Sequence, residues 1–409
     1  MSFHIHNAAW WCEDVAIDDL ADRYGTPLYV YSRAQLAANY RRVAAAFAPL
    51  NAQLHFSVKS NANGALLRVL RDLGAGFDVV SGGELFRALH AGADPATIVF
   101  AGVGKTEAEL VYAIEQGVGW INVESAQELN VLEAIAAARA CYTAIALRVN
   151  PSVDADTHQH IATGGPRSKF GIEVDEARSI LQNVSRYPHL DIAGLHVHIG
   201  SQLATPAGTV AAIERILPLT DLQPIRLLDL GGGFPVAYRP TDQFPEPAAF
   251  AAALGPLLKD RPFQIAIEPG RAISANAGAL IATAQYIKPR AGRRIIVVDA
   301  SMTELLRPAL YAAYHHIEAV NQGAAGAPLA DIVGPVCESA DVLGADRVLP
   351  IVQRGDRLII FDAGAYGLAM ASNYNSRPRP AEALIEGATS RVIRRRETWE
   401  DLIELEDRR

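Results

Sequence analysis

The sequence predicts an α/β protein, a (β/α)8 TIM-like barrel followed by a mostly β C-terminal domain, and three observations lead there. Between residues 54 and 271, short apolar runs alternate with stretches of helical period. Several of the helical stretches open on capping signals. After residue 275, long helices give way to strand-like runs set between Pro and Gly clusters.

The eight runs are 54–58, 77–80, 97–101, 120–123, 144–149, 192–197, 225–230 and 264–267. Each is short, continuous and apolar, as strands buried on both faces read. Ser81 with Glu84, Thr106 with Glu109 and Ser125 with Glu128 have capping-box spacing ahead of apolar-periodic stretches. Gly92 and Gly117 stand where those helices should stop. Stretches 66–73, 129–138 and 248–258 supply further helices. Eight strands alternating with helices over roughly 220 residues fit a closed barrel, for which about 250 is typical. A doubly wound open sheet would show five or six strands and a glycine-rich first turn instead. Beyond the barrel, runs 295–298, 357–361, 383–385 and 391–393 suggest the β domain, and run 28–31 fits either part. The expected boundaries are 33–275 for the barrel, with 1–32 and 276–409 making the β-rich domain.

Composition narrows the function classes. The 409 residues are 50% hydrophobic and 20% charged, which is ordinary globular composition. A net charge of −8 without a basic stretch argues against a nucleic-acid partner. Arg394, Arg395 and Arg396 are followed at once by Glu397 and read as a solvated face. Three scattered cysteines, Cys12, Cys141 and Cys337, support neither a disulfide framework nor a Cys-rich zinc site. Residues 1–7 do not read as a signal peptide, and no segment runs about 20 residues without charge or turn residues. A cytoplasmic protein without a membrane partner is expected.

In such barrels the reactive residues follow the carboxyl ends of the strands. Lys59 follows the first run, and only five of the 37 Lys and Arg residues are lysines. It reads either as a rim lysine with its head in water or as an amine in a partly desolvated pocket, able to attack a carbonyl. Asp78 and Ser81 follow in the second unit of the repeat. His196 and His198 share one strand face, as metal ligands, as a ring that stacks on another ring, or as packed core residues. No acid or cysteine adjoins them in the sequence. Gly231, Gly232 and Gly233 follow the seventh run, where exposed backbone N–H groups can hold phosphate, although Gly runs also simply make turns. Glu268-Pro269-Gly270-Arg271 ends the eighth and presents a carboxylate and a guanidinium. Amine, flat imidazole, glycine cradle and carboxylate are together the set that pyridoxal 5'-phosphate needs.

Ordered motifs run through nearly the whole chain: Tyr24-Gly25-Thr26-Pro27, Phe56-Ser57-Val58-Lys59-Ser60-Asn61, Gly76-Phe77-Asp78-Val79-Val80-Ser81-Gly82-Gly83-Glu84, Ser168-Lys169-Phe170-Gly171, and His198-Ile199-Gly200-Ser201-Gln202. The triple glycine, Glu268-Pro269-Gly270-Arg271, Leu306-Arg307-Pro308-Ala309-Leu310-Tyr311 and Gly334-Pro335-Val336-Cys337-Glu338-Ser339 follow. In these motifs the chain resembles the pyridoxal-phosphate-dependent decarboxylases of the alanine-racemase-like fold (group IV), most of all those acting on diaminopimelate. The resemblance implies a carboxy-lyase that converts meso-2,6-diaminopimelate to L-lysine and CO2, the last step of lysine biosynthesis. Lys59 would bond the cofactor aldehyde, His198 stack on its ring, and Glu268 pair with its nitrogen. Asp78, Ser201, Gly231 to Gly233, Pro269, Gly270, Arg271 and Tyr366 would complete the cofactor contacts. Arg271, Arg307, Tyr311, Glu338 and Tyr366 would hold substrate, with no metal. Cys337 would be the acid that returns a proton, its thiol near 8.5 when unperturbed; its plainer reading is a small buried hydrophobe. Cys337 and Glu338 would come from the neighbouring subunit of a homodimer.

The substrate preference rests on the distal end. Arg307 offers a forked partner to a second carboxylate and Glu338 a partner to an ammonium, whereas an arginine would repel ornithine's lone ammonium. The plainer reading of Arg307 is a surface helix residue. Ser60, where the family usually has alanine, and Asn63 are small departures. A racemase would need a second catalytic base and lacks the Cys-Glu-Ser segment. A non-catalytic partner protein would have no use for both Lys59 and Cys337.

Overall fold

The computed structural model describes residues 2–153, 168–323 and 328–406. It divides into two compact units, one of Tyr40–Val236 and Gln243–Ala272, the other of Met1–Asn39, Ala237–Asp242 and Ile273–Arg409.

The first unit is a closed barrel of eight parallel strands: β1 Gln53–Ser57, β2 Gly76–Val79, β3 Ile98–Phe100, β4 Trp120–Val123, β5 Thr143–Asn150, β6 Leu190–His196, β7 Leu227–Asp229 and β8 Gln264–Ile267. Neighbours in sequence are neighbours in space, and β8 closes on β1 through Ala266 opposite Gln53 and Ile267 opposite Leu54. Every residue of β2, β3, β4 and β7 is buried, which is why these strands read as continuous apolar runs.

The helices begin where their caps are. Thr106 makes a complete capping box with Glu109, and Gly117 ends that helix, Glu107–Gln116, in the left-handed region at φ +71°. Ser81 and Ser125 each accept an N–H from the third helical residue, Glu84 and Glu128. Those two glutamates reach one residue further back than a capping box requires, to the N–H groups of Val80 and Glu124. Each thereby ties the end of a barrel strand to the helix that follows it.

The second unit is mostly β. Leu28–Ser32 pairs antiparallel with Gly278–Arg290 and parallel with Ala381–Glu386, so the run that fitted either part belongs here. Arg293–Val298, Ala330–Val333, Val342–Arg347, Arg357–Ile360 and Thr389–Arg394 extend the sheet. Its core includes Leu20, Leu28, Val30, Ile281, Ile359 and Ile385. Strands Ile317–Ala319, Ala330–Val333 and Val342–Arg347 have no counterpart in the sequence expectations, and neither do two further features. One is the N-terminal meander Phe3–His6, Ala9–Cys12 and Val15–Ala16, whose strands bury little. The other is the 13-residue strand Gly278–Arg290, whose alanines and Pro289 disguise its period. The solvated-face reading suits Arg395, which is exposed, but Arg396 is half-buried and donates to the Pro27 carbonyl oxygen at 2.7 Å. The three cysteines are free. No helix among the described residues is long and apolar enough to cross a membrane.

Replacing Thr106 by alanine removes the side-chain acceptor of that box. Urea unfolding of Thr106→Ala should show a loss of about 1 kcal/mol with the denaturant slope unchanged; an unaltered midpoint would contradict the capping role.

Candidate active site

The chain leaves β1 through a single 3-10 turn, Val58–Ser60, that sets Lys59 just beyond the strand's carboxyl end. Its Nζ lies 2.8 Å from Asp78 Oδ2 on neighbouring β2, with Asp78 fully buried. The rim reading therefore fails at the head group: Lys59 is 38% exposed along its side chain, yet its charge is paired inward. Ser57 Oγ, 2.7 Å from Asp78 Oδ2 and 3.0 Å from the Glu268 carbonyl oxygen, ties β1 to β2 and to the turn after β8. The Ser57 N–H donates to the Pro269 carbonyl oxygen at 3.2 Å. Burial, then the charge of Glu268, pushes the Asp78 carboxyl up, and Lys59 only partly offsets them. Close by, burial raises Glu84 to about 7, with the Val80 N–H opposing and Asp78 adding.

Glu268 is buried at the end of β8. Asn122 Nδ2 on β4 donates to its Oε1 at 3.2 Å, and His196 Nε2 on β6 lies 3.4 Å from Oε2. Burial alone would raise this carboxyl; His196 and Lys59 overcome it and hold Glu268 below the ordinary carboxylate range. Asp229, at the end of β7, goes the other way, raised well above its usual value by burial and by Glu268. Its Oδ1 accepts the Gly231 N–H at 2.9 Å. Ligand atoms of His196, Asp229 and Glu268 all lie within 4.8 Å of one another. The sequence showed no acid beside His196; the acids arrive from β7 and β8 through the fold.

The glycines form a turn that side chains would fill. A Cβ on Gly232 would stand 2.3 Å from the Glu268 carbonyl oxygen, and one on Gly233 2.5 Å from that of Gly200. Gly231 and Gly233 also adopt φ of +65° and +97°, where other residues are strained. The Gly232 N–H donates to His198 Nδ1 at 3.2 Å, which leaves the remaining imidazole proton on Nε2. The protein crowded about it, then the charges of Arg148 and Lys59, hold His198 well below its usual value, so the ring is neutral and flat. Arg148 is itself buried, 2.6 Å from Glu124 Oε1 and stacked 4.6 Å from the Phe170 ring. Glu124 Oε2 also accepts the Gly171 N–H at 3.0 Å, so the Ser168–Gly171 motif is fastened to the same ion pair. Arg271 donates from Nε and Nη2 to Ser201 Oγ at 3.3 and 3.1 Å. Gly270 lets the turn after β8 pass close to Ser57 and Ser60, each 3.0 Å from where its Cβ would be.

Lys59, Asp78, His198, Ser201, Gly231 to Gly233 and Glu268 to Arg271 all lie in the barrel unit. Arg307, Tyr311, Cys337, Glu338 and Tyr366 lie in the β-rich unit. Arg307 starts the short helix Arg307–Tyr311 but is buried, not a surface residue. Its Nη1 meets His315 Nε2 at 2.8 Å and its guanidinium lies 4.4 Å from the Tyr238 ring centre. His315 Nδ1 lies 2.9 Å from the Phe361 carbonyl oxygen and donates to it, which leaves Nε2 as the acceptor for Arg307. Cys337 is exposed, against the small buried hydrophobe that was its plainer reading, and its N–H donates to Asn375 Oδ1 at 3.2 Å. The Glu338 carboxylate accepts the Tyr374 hydroxyl. Tyr366 takes φ +56°, and Tyr311 is half-buried. The residues the sequence reading missed are Asn122, Asp229 and the acid contacts of His196. Their one signal was a polar letter inside an otherwise apolar strand.

The barrel residues fit pyridoxal phosphate. A glycine turn lies beside a guanidinium and hydroxyl pair, a neutral imidazole presents a fixed plane, and a deprotonated carboxylate sits at the base. Asp78 Oδ1 is buried without a hydrogen-bond partner, an acceptor still to be used.

Residues 33–275 match the model of the pyridoxal-dependent decarboxylase, pyridoxal binding domain, family. The chain is similar to the diaminopimelate decarboxylase of Aquifex aeolicus, 44% identical over 96% of this chain and 94% of that protein. It is also similar to that of Pseudomonas aeruginosa, 45% identical over 98% and 97%. Among solved structures, diaminopimelate decarboxylase of Helicobacter pylori complexed with L-lysine superposes with a TM-score of 0.91 at 36% identity, covering 95% of this chain and 98% of that one.

Glu84 gives a test of the electrostatics. Its folded value, about 7, lies above its ordinary 4.5, so its contribution to stability is full below pH 4.5 and is lost as pH rises through 7. Unfolding of cofactor-free protein should therefore show that Glu84→Gln flattens the decline between pH 4.5 and 7. Parallel curves for variant and parent would contradict the shift.

Proposed function

The chain belongs to the pyridoxal-dependent decarboxylases, in their diaminopimelate decarboxylase branch, and from that premise we propose how its residues convert meso-2,6-diaminopimelate to L-lysine and CO2. The observation that carries the reading is the amine of Lys59 against a buried carboxylate, at the mouth of a barrel whose seventh strand is followed by a triple-glycine turn. Pyridoxal phosphate, when bound, supplies a ring that draws off the electron pair left as the bond to CO2 breaks.

The chain's own groups prepare for that event. Lys59 must lose a proton before its nitrogen can bond a carbonyl carbon, and Asp78 Oδ2, 2.8 Å away with its affinity for protons raised by burial, receives it. Glu268, held below the ordinary carboxylate range, would accept the hydrogen of a protonated ring nitrogen. His198, its plane fixed by the Gly232 N–H, offers a flat face rather than a charge. The glycine turn packs too closely on neighbouring backbone to admit side chains, and Arg271 with Ser201 would supply donors to the phosphate.

Substrate choice falls to Arg307. Its guanidinium, set against a histidine acceptor and an aromatic face, would be the forked partner of the distal carboxylate. Ornithine and lysine carry only an ammonium there and would meet repulsion. Glu338 takes the distal ammonium, and Cys337 returns a proton to the carbon that lost CO2. The family resemblance implies that Cys337 and Glu338 serve the site of a second copy in a homodimer, and an exposed Cys337 suits that assignment.

Incubation with meso-diaminopimelate should release lysine and CO2 in equal amounts, and Arg307→Ala should raise KM about 100-fold while leaving cofactor absorption unchanged. Absence of product, or an unchanged KM, would overturn the substrate assignment. Lys59→Ala and Cys337→Ala proteins, each inactive alone, should regain up to about a quarter of parental activity after being unfolded and refolded together, because a symmetric mixed dimer has one intact site. No recovery would contradict the shared site.

A further inference from the structure

Trp120 and Asn122 are two residues apart on β4 and point to one strand face. Trp120 Nε1 donates to Asn122 Oδ1 at 3.0 Å, and Asn122 Nδ2 donates to Glu268 Oε1 at 3.2 Å. Trp120 is 6% exposed and Asn122 fully buried. An indole N–H can only donate, so it requires the amide oxygen on its side and turns the amide nitrogen toward Glu268. The backbone here is pinned as well. The Asn122 carbonyl oxygen accepts from Lys105 Nζ at 2.8 Å, and that lysine is buried and paired with Glu128 at 2.7 Å.

We infer that Asn122, oriented by Trp120, is a positioning residue that aims Glu268 at the cofactor's ring nitrogen. The inference rests on the cofactor reading above and deepens it. Glu268 lies among buried acids, with Asp78 and Asp229 both raised, so its ionised form depends on what donates to it. The amide donates to Oε1, His196 faces Oε2, and Asp229 and the charge of Lys59 act on the same carboxylate. A neutral amide can donate without adding charge; an aspartate at 122 would bring a fourth acid to the cluster. Hydrogen bonds to a buried charged group are among the costlier ones to delete. The loss would fall on the affinity for cofactor and on the proton of the ring nitrogen, not on the contacts that hold phosphate or substrate.

The test uses full-length apoprotein titrated with pyridoxal phosphate, together with nitrogen NMR of cofactor labelled with 15N in the ring. Asn122→Ala should weaken cofactor binding roughly tenfold and move the ring signal toward unprotonated pyridine. Trp120→Phe keeps the aromatic volume but loses the donor. It should act in the same direction by about threefold, and add nothing in the Asn122→Ala background. Should Asn122→Ala not fold, Trp120→Phe and Asn122→Ser, read by the same NMR shift, decide the matter. Glu268→Gln separates the two levels. If it leaves the ring signal unmoved, the pairing of Glu268 with the ring nitrogen is wrong. If it moves the signal while the Asn122 and Trp120 variants do not, or if those two act additively, the positioning role is overturned.

Discussion

Three carboxyl groups, those of Asp78, Asp229 and Glu268, are buried beside one lysine amine at the carboxyl end of the barrel, and they cannot all ionise there. The protein resolves this by position. Burial and the charge of Glu268 raise the proton affinity of Asp78 and Asp229, while Glu268, facing His196 and Lys59, keeps its charge. The result is one fixed anion at the base of the site and one proton acceptor beside Lys59. Placement in the interior therefore gives three chemically similar side chains different duties.

The same residues also carry the backbone geometry. Asp229 accepts the N–H of Gly231, so the acid that ends β7 starts the glycine turn. Gly232 contributes its N–H to His198, which fixes the imidazole plane and sends its remaining proton to Nε2. Ser57 joins Asp78 to the turn that follows Glu268. The pieces assigned to phosphate, ring and amine are thus linked by hydrogen bonds between neighbouring strand ends. A substitution at one of them disturbs the others.

Most of the barrel was legible because strands buried on both faces leave uninterrupted apolar runs, and all eight runs became strands. The short N-terminal meander was not legible, because its first strand buries only Phe3 of four residues and carries little period. Within the site, Lys59, the triple glycine and Glu268 stand just after apolar runs and could be picked out. Asn122 and Asp229 lie inside their strands as single polar letters, and nothing local shows that Asn122 meets an acid 146 residues away. Arg307 kept a surface reading beside its substrate role because a short helix beginning Arg-Pro gives no sign that Tyr238 and His315 flank it. Long-range closure of the barrel supplies what spacing along the chain cannot.

The account turns on the Lys59 amine as the group that bonds the cofactor. Borohydride reduction of the cofactor-loaded protein, followed by proteolysis and mass mapping, tests this directly. The account predicts one stable adduct, on the peptide containing Lys59; an adduct on another lysine, or an unmodified Lys59 in fully loaded protein, would contradict it.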